Sequence, residues 1–592
     1  MLLLRICLNL PELHIIQVSD IHGGIYGHKD QPELGDIGTL LSYYQRVHQN
    51  ISSNPEASML LIGTGDDCEG TGLSGLTNIQ CSEIYNFLSY LPFDLMTVGN
   101  HDLSEPEAMD HLFEFQNEFK KKPFVTTNTF YSKTNQLFSQ PFKYQVMPNG
   151  IRVFMIGLMF SPTQNDYQNT YTKRIEDTLR SKWFRGILDE YAVKSDLFLL
   201  NMHIGTMEPE SHTTYKTVRA LFDEFNYKIP VHVLGAHNHL VFHIICPPIN
   251  GVVDKNCIAT ECGQMLKNLQ HVVWTLAPHN VTTPSGINFT GSTTVSVVPF
   301  EFDKMIVAPT QAGEGLAARF NISPDQFDTP DALELRKLVQ AKIDQMNLYQ
   351  VIGHSKFSYV YAKGMYFNDS FQRLWNQALM PALVYNPELQ KKCYQFPITR
   401  VDNTFRRDIV QGNITLDDAM RTVPFSFNTT YLPNIEPEKA QCLYFWGNLA
   451  RWNHDHDVIS VERFQELFQK YKQITDDDAA LVVPFYSVNN NTWEGPCYDM
   501  ITTNYEQKRL IMGYKYCGIT GHEPKVYPTS SGIQLTDELF IEFIKRYFNQ
   551  NEEDEELENE NEQKIAVSFT VITSALWLLG IIAIAFFAFK QK

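Results

Sequence analysis

The 592-residue sequence predicts an α/β fold: a layered sandwich followed by a smaller α/β domain. Three observations predict it. Short apolar runs suit buried strands, longer segments between them suit crossover helices, and polar residues stand where several of the runs end. The composition, with 43% hydrophobic and 19% charged residues, is that of a globular protein. At the usual domain size, the length fits about two to four domains.

The predicted strands of the first domain share a richness in Val, Ile, Leu and Phe. They are residues 13–19, 58–63, 93–98, 151–159, 196–201 and 230–235. Runs of this kind are typical of strands that are buried on both faces. Segments 38–47 and 181–194 are long enough for helices between strands, and the Thr-, Ser- and Val-rich segment 282–300 is expected to close the domain.

A periodic, charged segment at residues 330–346 separates the two halves of the chain. Its apolar residues recur at helical spacing, which predicts a linking helix, and an ordinary domain helix is an equal alternative. The expected organisation is a first α/β domain at 13–305, a linker helix at 325–350, a second α/β domain at 351–548, an acidic stalk at 549–564 and a transmembrane helix at 565–589.

The C-terminal segment predicts a membrane anchor. Residues 565–589 carry no charge, and at about 1.5 Å rise per residue they reach roughly 37 Å, enough to cross a bilayer. Lys590 and Lys592 follow it, which suits a cytosolic end. We therefore expect a single-pass type I membrane protein whose bulk is extracellular or lumenal; a removable lipid-anchor signal is the alternative. Eight acidic residues at 552–562 repel one another and predict an extended stalk.

Cysteines and glycosylation acceptors favour the same side of the membrane. The chain has ten cysteines and eight Asn-x-Ser/Thr acceptors. No secretory signal peptide is clearly visible at the N-terminus. Three pairs that are near in sequence are the disulfide candidates: Cys68/Cys81, Cys246/Cys257 and Cys497/Cys517. The formal charge of −19 argues against nucleic acid as a partner, because phosphate-binding surfaces need a basic excess.

Polar residues with metal-binding chemistry stand just after the carboxyl ends of the predicted strands. In an open α/β sheet these ends share one crevice, so residues far apart in sequence can converge there. A single His after a strand is usually structural, but five such segments together predict a metal site. The residues are Asp20, His22, Asp66, Asn100, His101, Asp102, His203, His237 and His239.

The ordered series D-x-H, G-D, G-N-H-D, H and G-x-H-x-H, from Asp20 to His239, resembles the calcineurin-like metallophosphoesterases. Residues 401–425 are similar to the substrate-domain segment of the 5′-nucleotidases within that superfamily. The resemblance covers roughly residues 13–545 and is stronger in the first half. It implies a four-layer metallophosphoesterase sandwich followed by a nucleotidase-like second domain.

The resemblance also implies roles for the polar residues. One divalent cation would be held by Asp20, His22 and His239, and another by Asn100, His203 and His237, with Asp66 bridging the two. Mixed His, Asp and Asn ligands suit zinc, manganese or iron. His101 and Asp102 are the catalytic candidates. Family members pair the matching His with an Asp three residues on, where this chain has Ser104.

In the second domain, Arg406 matches a phosphate-contacting Arg and Phe425 matches one of two aromatic residues that sandwich a nucleobase. Val401 stands where the family has Asn, and the loop that supplies the second aromatic is absent. The expected activity is hydrolysis of a small phosphate ester, foremost a nucleotide 5′-phosphomonoester, by a metal-activated water. The alternatives are a phosphodiesterase or pyrophosphatase acting on nucleotide-sugars or cyclic nucleotides, and an inactive surface receptor.

Overall fold

The computed structural model describes residues 11–27, 35–161, 169–225, 229–276, 281–282, 288–289, 296–302, 315–361, 368–397, 405–449, 465 and 495–548. The chain divides into two compact units, Met1–Leu348 and Tyr349–Lys592. Each unit is described by itself below.

The first unit is an α/β unit. Its strands, in chain order, are β1 (Glu12–Val18), β2 (Ala57–Gly63), β3 (Leu95–Met96), β4 (Thr129–Tyr131), β5 (Gln136–Leu137), β6 (Lys143–Val146), β7 (Arg152–Met159), β8 (Thr170–Thr172), β9 (Leu197–His203), β10 (Val231–Leu234), β11 (Val241–Ile245), β12 (Cys257–Cys262), β13 (Leu269–Thr275), β14 (Val281–Thr282), β15 (Asn288–Phe289) and β16 (Ser296–Phe302). Its α-helices are α1 (Ile37–Ile51), α2 (Gly72–Gly75), α3 (Ser82–Leu88), α4 (Pro106–Phe115), α5 (Ile175–Leu179), α6 (Lys182–Tyr191), α7 (Pro209–Glu224), α8 (Leu316–Arg319) and α9 (Pro330–Gln345). Short 3₁₀ turns cover Gln116–Glu118, Ala192–Lys194 and Pro324–Gln326.

Two mixed sheets dominate this unit. The five-stranded sheet runs in the order β16-β13-β1-β2-β3, and the six-stranded sheet in the order β11-β12-β10-β9-β7-β6. Strands β1, β2 and β3 are parallel, as are β7, β9, β10 and β12. A three-stranded sheet (β5-β4-β8) and the pair β14-β15 complete the unit.

The sheets stack through a shared apolar core, which includes Leu13 and Leu60 from one sheet and Val153 and Leu199 from the other. The outer face of each sheet is covered by helices, chiefly α1 and α9 on the five-stranded sheet and α6 and α7 on the six-stranded sheet. Both faces of these strands are therefore buried, which explains their nearly continuous apolar sequences. The result is the four-layer arrangement expected from the resemblance.

The expectation that one sheet carries all the polar loops is wrong. Strand β6 pairs antiparallel with β7 at the edge of the six-stranded sheet, whereas β3 lies at the edge of the five-stranded sheet and makes an isolated bridge to Phe124. The six predicted strands therefore separate into two groups of three, one in each sheet. Burial on both faces predicts a central strand but does not specify its sheet.

The helix α9, expected at residues 330–346, packs within the first unit. Its Leu335 and Val339 lie in the same core cluster as Tyr43 of α1. Arg336 Nε lies 2.7 Å from Asp36 Oδ2, at the N-cap of α1. The helix thus covers the five-stranded sheet beside α1.

The second unit is a smaller α/β unit. Its strands are β17 (Val351–Ser355), β18 (Tyr394–Pro397), β19 (Gly412–Thr415), β20 (Thr429–Ile435), β21 (Tyr498–Thr503) and β22 (Lys525–Val526), arranged as the pair β17-β19 and the four-stranded sheet β18-β21-β20-β22. Its helices are α10 (Phe371–Leu374), which continues into a π-helix (Trp375–Val384), α11 (Pro387–Gln390), α12 (Leu416–Thr422), α13 (Pro437–Leu449), α14 (Asn504–Met512), α15 (Tyr514–Cys517) and α16 (Thr536–Tyr547).

Four disulfides connect the described residues. Cys68–Cys81 and Cys246–Cys257 form as predicted. The predicted Cys497/Cys517 pair is wrong, since Cys497 bonds to Cys393 and Cys517 bonds to Cys442. Strand β18 lies parallel to β21 with Tyr394 beside Tyr498, which places the preceding cysteines side by side. This pairing depends on a strand neighbour about a hundred residues away, not on sequence proximity.

Among the described residues, no helix combines the length and the apolar character that crossing a bilayer requires. The predicted stalk at 549–564 and the predicted transmembrane helix at 565–589 lie outside the described residues.

Candidate metal centre

The predicted ligand residues lie on loops at the carboxyl ends of strands from both sheets. Asp20, Asp66 and Asn100 follow β1, β2 and β3 of the five-stranded sheet. In the six-stranded sheet, His203 ends β9 and the His237–His239 segment follows β10. Because these ends face the same side of the sandwich, the loops of the two sheets converge there.

Asp20, His22 and His239 form the first group. The Nε2 atoms of His22 and His239 lie 3.0 Å apart, and His239 Nε2 lies 3.6 Å from Asp20 Oδ1. The ligand atoms of all three residues fall within 4.8 Å of one another, close enough to share one cation.

Asp66, His203 and His237 form the second group, again with ligand atoms within 4.8 Å of one another. Asp66 Oδ2 lies 3.1 Å from His203 Nε2 and 3.9 Å from His22 Nε2. Asp66 therefore stands between the two groups, where a bridging carboxylate would be placed. Asn100 adjoins this group, because the next residue, His101, donates its backbone N–H to Asp66 Oδ1 at 2.7 Å.

Three buried atoms of the site indicate that its residues fit cations. Asp66 Oδ2, Asn100 Oδ1 and His203 Nε2 make no hydrogen bond of proper geometry within the described residues. Two of them, Asp66 Oδ2 and His203 Nε2, face each other at 3.1 Å, and a buried polar atom left without any partner costs about 1–3 kcal/mol. The donor set of imidazole, carboxylate and carboxamide is one that first-row divalent cations accept.

Backbone carbonyls orient the imidazoles. His22 Nδ1 donates to the carbonyl of Glu69 at 2.9 Å, and His203 Nδ1 donates to the carbonyl of Thr64 at 2.8 Å. In the neutral form of each ring, the bond leaves the lone pair on Nε2, the atom that faces the cluster. This is the usual way in which proteins fix metal-binding histidines.

Five of these ligand residues have left-handed backbone conformations. Asp20, His22, Asp66, His237 and His239 have φ values of +50°, +48°, +56°, +79° and +60°. Such angles cost of order 1–3 kcal/mol for a residue with a side chain, and they concentrate at functional sites. The fold holds these side chains where they converge at the expense of local stability.

A close approach of two loops also shapes the site. A Cβ on Gly99 would lie 2.1 Å from Asp66 Oδ1. Only glycine leaves room for the Asp66 carboxylate at this point.

The electrostatics of the site keep Asp66 charged. Burial alone would raise the pKa of the Asp66 carboxyl, but the rings of His203, His101 and His22 hold it well below its usual range. Burial likewise opposes the charged form of His203, yet the Asp66 carboxylate outweighs it and raises the pKa of His203 to about 10. Burial raises the pKa of Asp20 to about 7.

The Asp102 side chain binds the backbone of the loops around Asp66. Its buried carboxylate accepts hydrogen bonds from the backbone N–H groups of Asp66, Asp67, Cys68 and Gly99 and from the hydroxyl of Tyr85, at 2.8–3.0 Å. These bonds tie the loop after β2 to the loop after β3. Asp102 therefore shapes the backbone around Asp66.

His101 contacts a residue that the sequence analysis did not select. Its Nδ1 lies 2.5 Å from Glu69 Oε2. Glu69 belongs to the same G-D-D-C-E-G segment as Asp66, and the Ser at position 104 is the one signal that the carboxylate partner of His101 comes from elsewhere.

Arg406 and Phe425 contact each other in the second unit. The Arg406 guanidinium carbon lies 4.9 Å from the centre of the Phe425 ring, within cation–π range. Phe425 is only 1% exposed and stacks on Phe427 with ring centres 5.3 Å apart. A nucleobase could reach a face of Phe425 only if one of these neighbours moved.

Comparison with known proteins shows what this fold is similar to. Residues 13–241 match the calcineurin-like phosphoesterase family. The crystal structure of a 5′-nucleotidase from Candida albicans matches with a TM-score of 0.68 at 17% identity, covering 91% of this chain and 100% of that chain. The first unit is therefore similar to the calcineurin-like phosphoesterases over residues 13–241, and the fold of the two units resembles that of a 5′-nucleotidase.

Two fungal relatives extend along most of the chain. An uncharacterized protein of Schizosaccharomyces pombe is 24% identical over 531 residues, which are 85% of each chain. A protein of Arthroderma benhamiae described as a secreted protein is 24% identical over 461 residues, which are 72% of this chain and 66% of that protein.

Proposed function

We propose that this chain is a two-metal phosphoric ester hydrolase that cleaves a small phosphate ester, foremost a nucleotide 5′-phosphomonoester. The observation that carries the proposal is the convergence of two ligand groups on the shared carboxylate of Asp66. Asp20, His22 and His239 would hold one cation, and Asn100, His203 and His237 the other.

The bound cations would supply the positive charge that attracts a phosphoryl group and activates water. The protein residues do the rest. Imidazole and carboxamide ligands are neutral, so the site keeps its affinity for a phosphate dianion. His101 lies beside the ligands, with its ring centre 4.9 Å from that of His22, where a donor could stabilise charge on the departing oxygen.

In the second unit, Arg406 supports recognition of a phosphate and Phe425 supports recognition of a base. The guanidinium of Arg406 is a planar fork that matches phosphate oxygens. The covered faces of Phe425 support base recognition less directly. The substrate proposal therefore rests first on the phosphate and only then on the nucleoside.

We also propose that the protein works outside the cytosol, anchored by residues 565–589. Four disulfides support an oxidising compartment. The relative described as secreted supports the same assignment.

The deciding experiment is Asp66→Asn in the purified full-length protein. The substrates are AMP, UDP-sugars, cyclic nucleotides and sugar phosphates, with added zinc or manganese and with the products separated by chromatography. We expect the hydrolysis of each substrate that the wild type cleaves to fall at least about 100-fold. Metal content measured by elemental analysis should fall as well, since the bridging charge is lost. Glu107→Gln, an exposed residue on α4, is the control and should keep both values. Full turnover with normal metal content in Asp66→Asn would contradict the proposal.

A further inference from the structure

Glu69 is a buried carboxylate in contact with His101. It is 3% exposed, and its Oε2 lies 2.5 Å from His101 Nδ1. A carboxylate only accepts hydrogen bonds, so this contact fixes a proton on Nδ1. The opposite nitrogen, Nε2, is then the one that can act on a substrate.

The carboxylate of Glu69 is itself held in place by neighbours. Its Oε1 accepts from the Ser104 hydroxyl at 2.7 Å and from Gln80 Nε2 at 3.2 Å. Ser104 occupies the position where the resembled family has its Asp. The Ser104 side chain is smaller than that of Asp, so the Glu69 carboxylate has room beside it. The Ser104 hydroxyl donates a hydrogen bond to that carboxylate.

A disulfide encloses this segment. Cys68, which precedes Glu69, bonds to Cys81, which follows Gln80. The backbone N–H of Glu69 faces Cys81 Sγ at 3.3 Å, and Glu69 has a left-handed φ of +58°. The loop between the two cysteines is therefore a closed ring that presents Glu69 to His101 in a conformation a free loop would seldom adopt.

We propose that Glu69 is the positioning residue for His101, taking the part of the carboxylate that the resembled family carries at position 104. The proposal rests on the proposed function, because it assigns His101 to the reaction of that site. In the reaction, His101 would carry a proton on Nε2 in addition to the one that Glu69 holds on Nδ1, so that Nε2 can donate.

A water molecule gives up one proton to solvent, and the hydroxide that remains bonds to phosphorus through its oxygen. At the same time the bond from phosphorus to the ester oxygen breaks, and its electron pair goes to the ester oxygen. The proton on His101 Nε2 passes to the departing oxygen, giving the free alcohol. His101 is left as the neutral ring, which keeps its proton on Nδ1 in the hydrogen bond to Glu69, and its Nε2 then takes a proton from solvent.

The test compares Glu69→Gln with wild type on two esters. An alkyl ester such as AMP needs a proton on its leaving oxygen, and we expect kcat to fall about 100-fold with KM and metal content unchanged. The p-nitrophenolate leaving group is stable without a proton, so p-nitrophenyl phosphate should lose less than about fivefold by the same reasoning. Equal losses on both esters, or a loss of bound metal, would show a purely structural role and overturn the proposal.

Two further measurements keep the test independent of that variant alone. Moving the carboxylate to the family position, in the double variant Glu69→Gln/Ser104→Asp, should recover at least tenfold of the lost kcat on AMP. In the zinc-loaded full-length protein, a far-downfield proton resonance from His101 Nδ1–H should be present in wild type and in Glu107→Gln, and absent in Glu69→Gln and in His101→Gln.

The resonance separates the two proposals. If wild type hydrolyses none of the esters but shows the resonance, the proposed function fails while the Glu69–His101 contact stands. A wild type that hydrolyses AMP but lacks this resonance would overturn the assignment of Glu69.

Discussion

At the residue scale, the site depends on conformations that most side chains avoid. His237 and His239 follow β10 with positive φ angles, as Asp20 and His22 do after β1. In an extended strand, residues two positions apart point to the same face. The left-handed turns at these positions replace that arrangement and set the direction in which each side chain leaves the backbone. The sequence shows which residue types are present but not these angles, so candidate ligands could be proposed from it and their geometry could not.

The variant Gly99→Ala tests how closely the loop after β3 approaches the Asp66 carboxylate. The new Cβ would meet Asp66 Oδ1 at 2.1 Å, so the carboxylate must move and the metal content measured by elemental analysis should fall together with hydrolysis. Gly186→Ala, on α6 with no atom within 4 Å of its Cβ position, is the matched control and should keep both properties. Unchanged metal content in Gly99→Ala would show that the carboxylate has room to move.

At the element scale, a chain of buried hydrogen bonds connects the two sheets below the site. Trp274 on β13 donates to His232 Nδ1 at 3.2 Å, and His232 Nε2 donates to Thr260 Oγ1 at 2.9 Å. Thr260 donates to Gln17 Oε1 on β1, and Gln17 Nε2 donates to the carbonyl of Gly235, two residues before His237. This hydrogen-bonded network fixes how the two sheets sit against each other, and so it positions the loops that carry the candidate metal ligands.

Because His232 belongs to this hydrogen-bonded network, the stability of the protein should depend on pH. Burial and the nearby His243 lower the pKa of His232 to about 3, whereas an unfolded His titrates near 6.5. The unfolded state therefore binds the extra proton between these values. The stabilisation is complete above about pH 6.5 and is lost as the pH falls, at about 1.4 kcal/mol per pH unit.

Denaturant unfolding at pH 7 and pH 5 should show this dependence in wild type and a smaller one in His232→Gln. The exposed His48 on α1 supplies the control, since His48→Gln should keep the wild-type slope. An identical slope in His232→Gln would mean that His232 is not the group that titrates.

The Cys68–Cys81 disulfide gives a second prediction at this scale. Its removal by the double change to Ser should lower the free energy of unfolding by about 3 kcal/mol, as for any loop of this size. If the ring also positions Glu69, kcat on AMP should fall in addition. Cys246–Cys257 closes a ring of similar length, 11 against 13 residues, and its removal should cost stability while kcat stays the same. An equal kcat in both variants would mean that the Cys68–Cys81 disulfide does not position Glu69.

At the scale of the whole molecule, the described glycosylation acceptors are consistent with a secretory route. Asn50, Asn321, Asn368, Asn413 and Asn428 are all exposed. We expect a clear mobility shift when the native protein is digested with an N-glycosidase, and a reduced shift when these five residues are changed to Gln. A chain that shows no shift before mutation would place the catalytic unit in the cytosol.

The sequence predicts the architecture well where a signal is local. Strands such as β1 and β9 follow from their apolar runs, and the polar residues that end them follow from residue type. Features that depend on distant neighbours could not be predicted. The pairing of Cys393 with Cys497 depends on β18 lying beside β21. The division into two sheets depends on which strands pair, such as β6 with β7. The contact of Glu69 with His101 depends on a loop closed by a disulfide.

The origin of the ligands in two different sheets has a consequence for durability. A cation held by Asp20 and His22 from one sheet and His239 from the other would fasten the two halves of the sandwich at its open end. Binding that favours only the folded state adds to its stability in proportion to the logarithm of the free ion concentration. The stability of the folded protein would then depend on the concentration of free metal around it. A shortage of metal would lower both the free energy of unfolding and the activity.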